Sequence, residues 1–128
     1  MTDAAGAFEG APPERPERHT VLLELKAEVA ASPPDVFDHL VRRIAPDDGH
    51  THFAVYRDQL LAVMQGDWWY RGEFRVAPAP EGALVSYAIV NVAQKKRRLG
   101  TWIARKTVAE APESFARHLK QVKEDLRG

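Results

Sequence analysis

The sequence predicts an α+β domain: a strand, a short helix, a run of antiparallel strands and a closing helix at the end of the chain. Three observations predict it. From Thr20 to Ala30, Val21, Leu23, Leu25, Ala27 and Val29 alternate with Glu24, Lys26 and Glu28, the period of a strand with one wet face. Ser32-Pro33-Pro34-Asp35 then supplies an N-cap, a proline suited to the first helical position and a carboxylate in the first turn. Finally, Trp68, Tyr70, Phe74 and Val76 share one parity and Trp69, Arg71, Glu73 and Arg75 the other, so a strand with an aromatic inner face precedes the amphipathic stretch Pro112 to Leu126.

The elements follow in order. After Ser32, Val36, Phe37, Leu40, Val41 and Ile44 form one apolar helical stripe, while Asp38, His39, Arg42 and Arg43 lie elsewhere. Pro46 and Asp47-Asp48-Gly49 stop the helix. Strands are expected at about His52 to Arg57, Gln59 to Gln65 and Trp68 to Ala77, joined by short turns and therefore antiparallel. Pro78-Ala79-Pro80-Glu81-Gly82 marks the next turn, and Ala83 to Ala93 the last strand. Both parities of that strand are apolar, with Val85, Tyr87 and Ile89 opposite Leu84, Val90 and Val92. It is therefore covered on both faces or its outer face meets a partner.

The last third reads as mainly helical but broken. At about 100° per residue, Leu99, Trp102 and Ile103 share a face nearly opposite to Phe115, Leu119, Val122 and Leu126. A phase reset is expected at Pro112, and residues 101 to 108 stay open between helix and strand.

With 128 residues, 45% apolar and 28% charged, the chain is sized for one domain with a real core. Residues 1–18, carrying Pro12, Pro13 and Pro16, read as a flexible tail, and 19–128 as the domain. Eighteen basic and eighteen acidic residues cancel, so no global attraction to nucleic acid is implied. The absence of cysteine removes disulfides and thiolate chemistry and fits a reducing cytoplasm. No apolar run reaches the roughly 18 residues of a membrane span.

The order of elements, carried by Leu23 through Leu40 and by the ending Phe115-Ala116-Arg117-His118-Leu119-Lys120-Gln121-Val122-Lys123, resembles the START-like helix-grip superfamily (SRPBCC). That superfamily includes polyketide cyclases, plant pathogenesis-related proteins and lipid-transfer domains. The resemblance spans about His19 to Leu126 and rests on apolar patterning and capping, so it speaks to fold more than to function. It implies a sheet curled around the terminal helix, with a cavity between them. Trp68, Tyr70 and Phe74 from the sheet and Phe115, Leu119 and Val122 from the helix would line it. Fewer strand segments lie between Pro46 and Ala93 than in the fuller family pattern, implying a shorter sheet and a smaller or more open cavity.

Weighed on their own chemistry, these aromatics can line a ligand pocket or simply pack a core. Trp69 points the other way, as a surface or interface aromatic. His118, at the flank of the terminal stripe, and Tyr70 are the candidates for proton chemistry. His39 lies off its stripe and is expected in water. Ser86 and Ser114 lack a nucleophile context, and no His, Ser and Asp spacing announces a triad. His50-Thr51-His52 beside Asp47 and Asp48 has zinc-type donors but no evident fourth ligand, so no metal is expected. Lys95, Lys96, Arg97 and Arg98, with Arg105, Lys106 and Trp102, form the dense basic patch; such runs are usually solvated faces, and nucleic acid is not expected. No Gly-rich phosphate loop is present.

The expected function is binding of a small hydrophobic molecule, a lipid, polyketide or aromatic metabolite, without a cofactor. Tyr70, Tyr87 or Asn91 would orient it by hydrogen bonds. The alternatives are a cyclase or dehydratase using His118, Tyr70 or, less suitably because it faces outward, Arg71, and a homodimerising or partner-binding module using Leu84, Val90, Val92 and Trp69.

Overall fold

A computed structural model describes residues 11–46, 49, 51–66 and 68–127. The chain is α+β. Its elements are β1 (Thr20–Val29), α1 (Pro33–Ile44), β2 (His52–Tyr56), β3 (Leu61–Gly66), β4 (Tyr70–Ala79), β5 (Gly82–Asn91) and α2 (Arg97–Arg127). The five strands form one antiparallel sheet in the order β1-β5-β4-β3-β2. The first strand thus pairs with the last, and only this pairing needs a long crossing connection.

Local chemistry explains the start of α1. The Ser32 hydroxyl accepts from the Asp35 amide, and both prolines sit in the first turn of α1, where their missing N–H groups cost nothing. Val36, Phe37, Leu40 and Ile44 bury the predicted stripe. At the far end, Arg42 and Arg43 complement the dipole, and Arg43 grips Asp125 of α2 through Nε at 3.1 Å and Nη2 at 2.9 Å.

The helix α2 runs unbroken through Pro112, which corrects the expected phase reset and settles residues 101 to 108 as helix. Its buried residues are Gly100, Ala104, Ala111, Phe115, Leu119 and Val122, a single continuous face. The large apolar residues Leu99, Trp102 and Ile103, whose face lies opposite this one, are not brought round to it by any break in the helix. They are exposed, and small residues face the sheet because the first turns of α2 lie close to it. A Cβ at Gly100 would sit 3.0 Å from Trp69 Cβ and 3.1 Å from Asn91 Nδ2. Pro112 itself is exposed.

Two aromatics are also exchanged. Regular pairing of β4 begins at Tyr70, so Trp68 and Trp69 belong to the preceding turn and escape the strand's alternation. Trp69 is 4% exposed, packed by the first turns of α2 and edge-on to Tyr70, whereas Trp68 is 43% exposed. Val90 is fully buried, and Leu84 and Val92 are half-buried. The outer surface expected for dimerisation is therefore largely used up within the chain.

Part of the expected tail covers the outer face of the sheet. Ala11 is fully buried against Ala54, Leu61 and Val63, and its carbonyl accepts from the Tyr56 hydroxyl at 2.6 Å. Residues 11–15 also supply carbonyls and a guanidinium to Arg71 and Glu73. The folded unit thus includes residues that composition alone assigned to the tail.

Candidate functional site

The inner face of the sheet and α2 do not close completely on each other. Between them lies a cavity of about 300 Å³. Its sheet wall is Met64, Tyr70, Phe74 and Tyr87; its helical wall is Thr107, Ala111, Ser114, Phe115 and His118 from α2 and Ile44 from α1. The exposed residues Arg43 and Glu110 stand at its edge.

Strand register builds the aromatic wall. Phe74 and Tyr87 are directly paired on neighbouring strands, and their rings stack at 4.3 Å and 17°. Phe115 reaches down from α2 to within 6.5 Å of Phe74 and 6.2 Å of Tyr87, centroid to centroid. Gly72, between Tyr70 and Phe74 on the same face, leaves space over which the Tyr70 ring folds back; a Cβ there would collide with the Tyr70 hydroxyl. With that space open, the Tyr70 and Tyr87 hydroxyls meet at 2.9 Å.

Burial raises both phenols above the ordinary tyrosine value, Tyr70 strongly so, with Tyr87 reinforcing the shift at Tyr70 and the shared hydrogen bond moderating it at Tyr87. Both stay protonated at neutral pH. His118 sits edge-on to Phe74 at 6.4 Å, and burial, followed by the charges of Arg117 and Arg43, holds its imidazole below the ordinary histidine value. Inside the edge formed by Arg43 and Glu110, the lining is therefore neutral at pH 7, with two phenols, an imidazole and the hydroxyl residues Ser114 and Thr107 among apolar side chains.

Of the residues singled out from sequence, Tyr70, Phe74, Tyr87, Phe115 and His118 are brought together here. Leu119 and Val122 are buried in the core beyond the cavity wall. Trp68 lies in a separate surface groove with Pro12, Arg15 and Gln94. Asn91 holds structure together instead of facing the cavity: its Nδ2 donates to the Arg97 carbonyl at 2.9 Å and to Thr101 Oγ1 at 3.0 Å, and its Oδ1 accepts from the Ala93 amide at 2.9 Å. Arg71 faces outward, as parity requires, but is fully buried there. His39 is half-buried and not fully in water. His52 is exposed, while Asp47, Asp48 and His50 lie outside the described residues.

Sequence reasoning missed Thr107, Ala111 and Ser114. Their spacing from His118 is helical, and reading α2 through Pro112 without a reset would have placed all four on one flank. A larger cleft of about 630 Å³ lies between the β1–α1 turn and the end of α2. Its lining mixes the charged residues Glu28, Asp35, Glu81, Lys123 and Arg127 with Val29, Ala30, Ala31, Ser32 and Leu126, and has no aromatic wall. No helix among the described residues is long and apolar enough to cross a membrane. No protein-family model matches the chain, and no curated protein matches it.

Proposed function

We propose that this protein binds a small, mainly apolar molecule carrying one polar group, held in the cavity between its sheet and α2. One observation carries the reading: a space of about 300 Å³ is kept open beneath stacked aromatic rings. Protein interiors are otherwise close-packed, and that volume is at the small end for ligand pockets. Ala111 presents no more than a methyl to the space, Gly72 lets the Tyr70 ring fold back across its backbone, and Phe74, Tyr87 and Phe115 offer ring faces to an apolar body. The Tyr70–Tyr87 hydroxyl pair and His118 are neutral and can exchange hydrogen bonds with a carbonyl or hydroxyl. The α+β architecture is compatible with the helix-grip resemblance, which points to the same kind of cargo.

Native mass spectrometry of the purified full chain, followed by solvent extraction, tests this. The expected result is a retained small molecule that is lost from an Ala111→Phe variant, whose new ring fills the cavity. A bare protein mass, together with no thermal shift from a panel of small aromatic and short acyl molecules at concentrations far above a useful Kd, would overturn the reading.

A further inference from the structure

The side of α2 turned away from the sheet carries an apolar patch set among cations. Leu99, Trp102 and Ile103 are 43%, 56% and 41% exposed. At about 100° per residue, Trp102 points directly opposite the buried face of Gly100, Ala104 and Ala111. Lys95, Lys96, Arg98, Arg105 and Lys106 are exposed around it, and the Arg105 guanidinium lies 4.1 Å over the Trp102 ring. From Gln94 to Ala109 the chain has six basic residues and no acidic one, although its net charge is zero.

We propose that this face docks on the surface of an anionic lipid bilayer. Trp102, Leu99 and Ile103 enter the headgroup boundary, and the surrounding lysines and arginines meet the anionic headgroups. Basic charge supplies long-range attraction, and a tryptophan among aliphatic neighbours supplies the residue type that settles at such a boundary.

Three further arguments favour a bilayer. The first turn of α2 contains Arg97 and Arg98 and no acidic residue, so its charge opposes the helix dipole and gains nothing for the helix itself. An anionic surface at this end offsets that repulsion. A second copy of the chain does not fit, since two-fold pairing through this face would press two cationic clusters together. Nucleic acid would use the cations and the indole but leaves Leu99 and Ile103 without a role.

The test uses the full chain and vesicles of phosphatidylcholine with or without a minority of phosphatidylserine. Trp68→Phe leaves Trp102 as the exposed indole, since Trp69 is buried. The expected results are flotation with the anionic vesicles only, loss of binding at high salt, and quenching of Trp102 by brominated lipid. Neutralising Arg98, Arg105 and Lys106 to Gln weakens binding by about five-fold per residue. Replacing Leu99, Trp102 and Ile103 by Ala, with the cations intact, weakens it further, and all six positions are exposed, so the fold is kept. Equal binding to both vesicle types, no flotation with either, or an unquenched Trp102 on bound protein would overturn the proposal. Binding of a single-stranded oligonucleotide in place of vesicles would overturn it in favour of nucleic acid.

Discussion

Arg71 Nε donates to Glu73 Oε2 at 2.7 Å, joining two residues of β4 that share the outer face of the sheet, and neither is in water. Their remaining groups are satisfied from above. Arg15 meets Glu73 with Nη2 at 2.8 Å and Nε at 3.0 Å, while Arg71 donates to the carbonyls of Pro12 at 2.7 Å and Pro13 at 3.0 Å and to Gln65 Oε1 at 3.1 Å. The N-terminal segment is thus fastened by charge to a face that would otherwise be solvated.

Glu73→Gln removes the one carboxylate between two guanidinium groups and leaves Arg71 buried without a counter-charge. We expect a loss of about 3 kcal/mol in urea unfolding. An Arg71→Met, Glu73→Leu double variant, which removes both charges, should cost less than Glu73→Gln alone. A double variant that is the less stable of the two would show that the pair does not act as a unit.

The same network sets an acid limit. Burial by itself would push the Glu73 carboxyl up, but the hydrogen bonds and charges of Arg15 and Arg71 outweigh it and hold the group below 4.5. The folded state therefore keeps Glu73 ionised where the unfolded chain takes up a proton. This contribution is complete above about pH 4.5 and lost as the pH falls through the folded value. Glu73→Gln should flatten that part of the stability profile; an unchanged acid limb would sink the assignment.

Much of this architecture was legible in the sequence because local chemistry and burial agreed there. Ser32 and its two prolines placed the start of α1 to the residue, alternation placed β1 and β4 within about two residues, and the turn Pro78 to Gly82 did the same for β5. Three things were not legible. Alternation says nothing about where pairing begins, so Trp68 and Trp69 were assigned to faces they do not occupy. The depth of α2 against the sheet is a tertiary property: Gly100 and Ala104 are buried because the helix comes close, and that proximity leaves Leu99, Trp102 and Ile103 outside. A Pro-rich start reads as a tail until the buried charge beneath it is known. In the cavity, the aromatic wall was readable by parity, whereas Thr107, Ala111 and Ser114 depended on the helix crossing Pro112 in phase.

The Tyr70–Tyr87 pair predicts an alkaline signature. Burial raises both phenols, and also Tyr56, where the charge of Arg71 opposes the shift. An unfolded tyrosine releases its proton at about pH 10, so stability is intact below that value and declines above it, as only the unfolded chain ionises freely. Phenolate absorbance should accordingly rise together with loss of near-ultraviolet dichroism. Reversible ionisation of two tyrosines near pH 10 in the folded protein would contradict the buried pair.

His118 gives a test nearer neutrality. Burial, then Arg117 and Arg43, lowers its pKa below 6.5, so the unfolded chain protonates first as the pH falls. Its contribution to stability is present above about pH 6.5 and lost as the pH drops through the folded value. An apolar occupant would dry the ring further and shift the value lower still, so occupancy should weaken as the pH falls below about 6.5, through the value of the unoccupied protein. His118→Phe should remove that dependence. A His118 imidazole titrating above 6.5 in nuclear magnetic resonance would refute the assigned environment.

Gly100 and Trp102 occupy one turn of α2 on opposite sides and should respond in opposite ways to size. In an exposed helix, Gly→Ala gains about 1 kcal/mol. Here the added methyl meets Trp69 Cβ at 3.0 Å and the Asn91 amide at 3.1 and 3.3 Å, and neither partner is a loose side-chain end. Trp69 Cβ is tied to the backbone whose carbonyl accepts from the Val92 amide at 2.8 Å, and Asn91 is fixed by its three hydrogen bonds. Overpacking of this kind costs about 1–3 kcal/mol, so Gly100→Ala should be neutral to destabilising and Gly100→Val clearly destabilising, with a changed Trp69 emission. Trp102→Ala, at a site 56% exposed, should alter stability by no more than about 0.5 kcal/mol. If Gly100→Ala stabilised the protein by the full helical gain, α2 would not lie as close to the sheet as the burial of Gly100 and Ala104 requires.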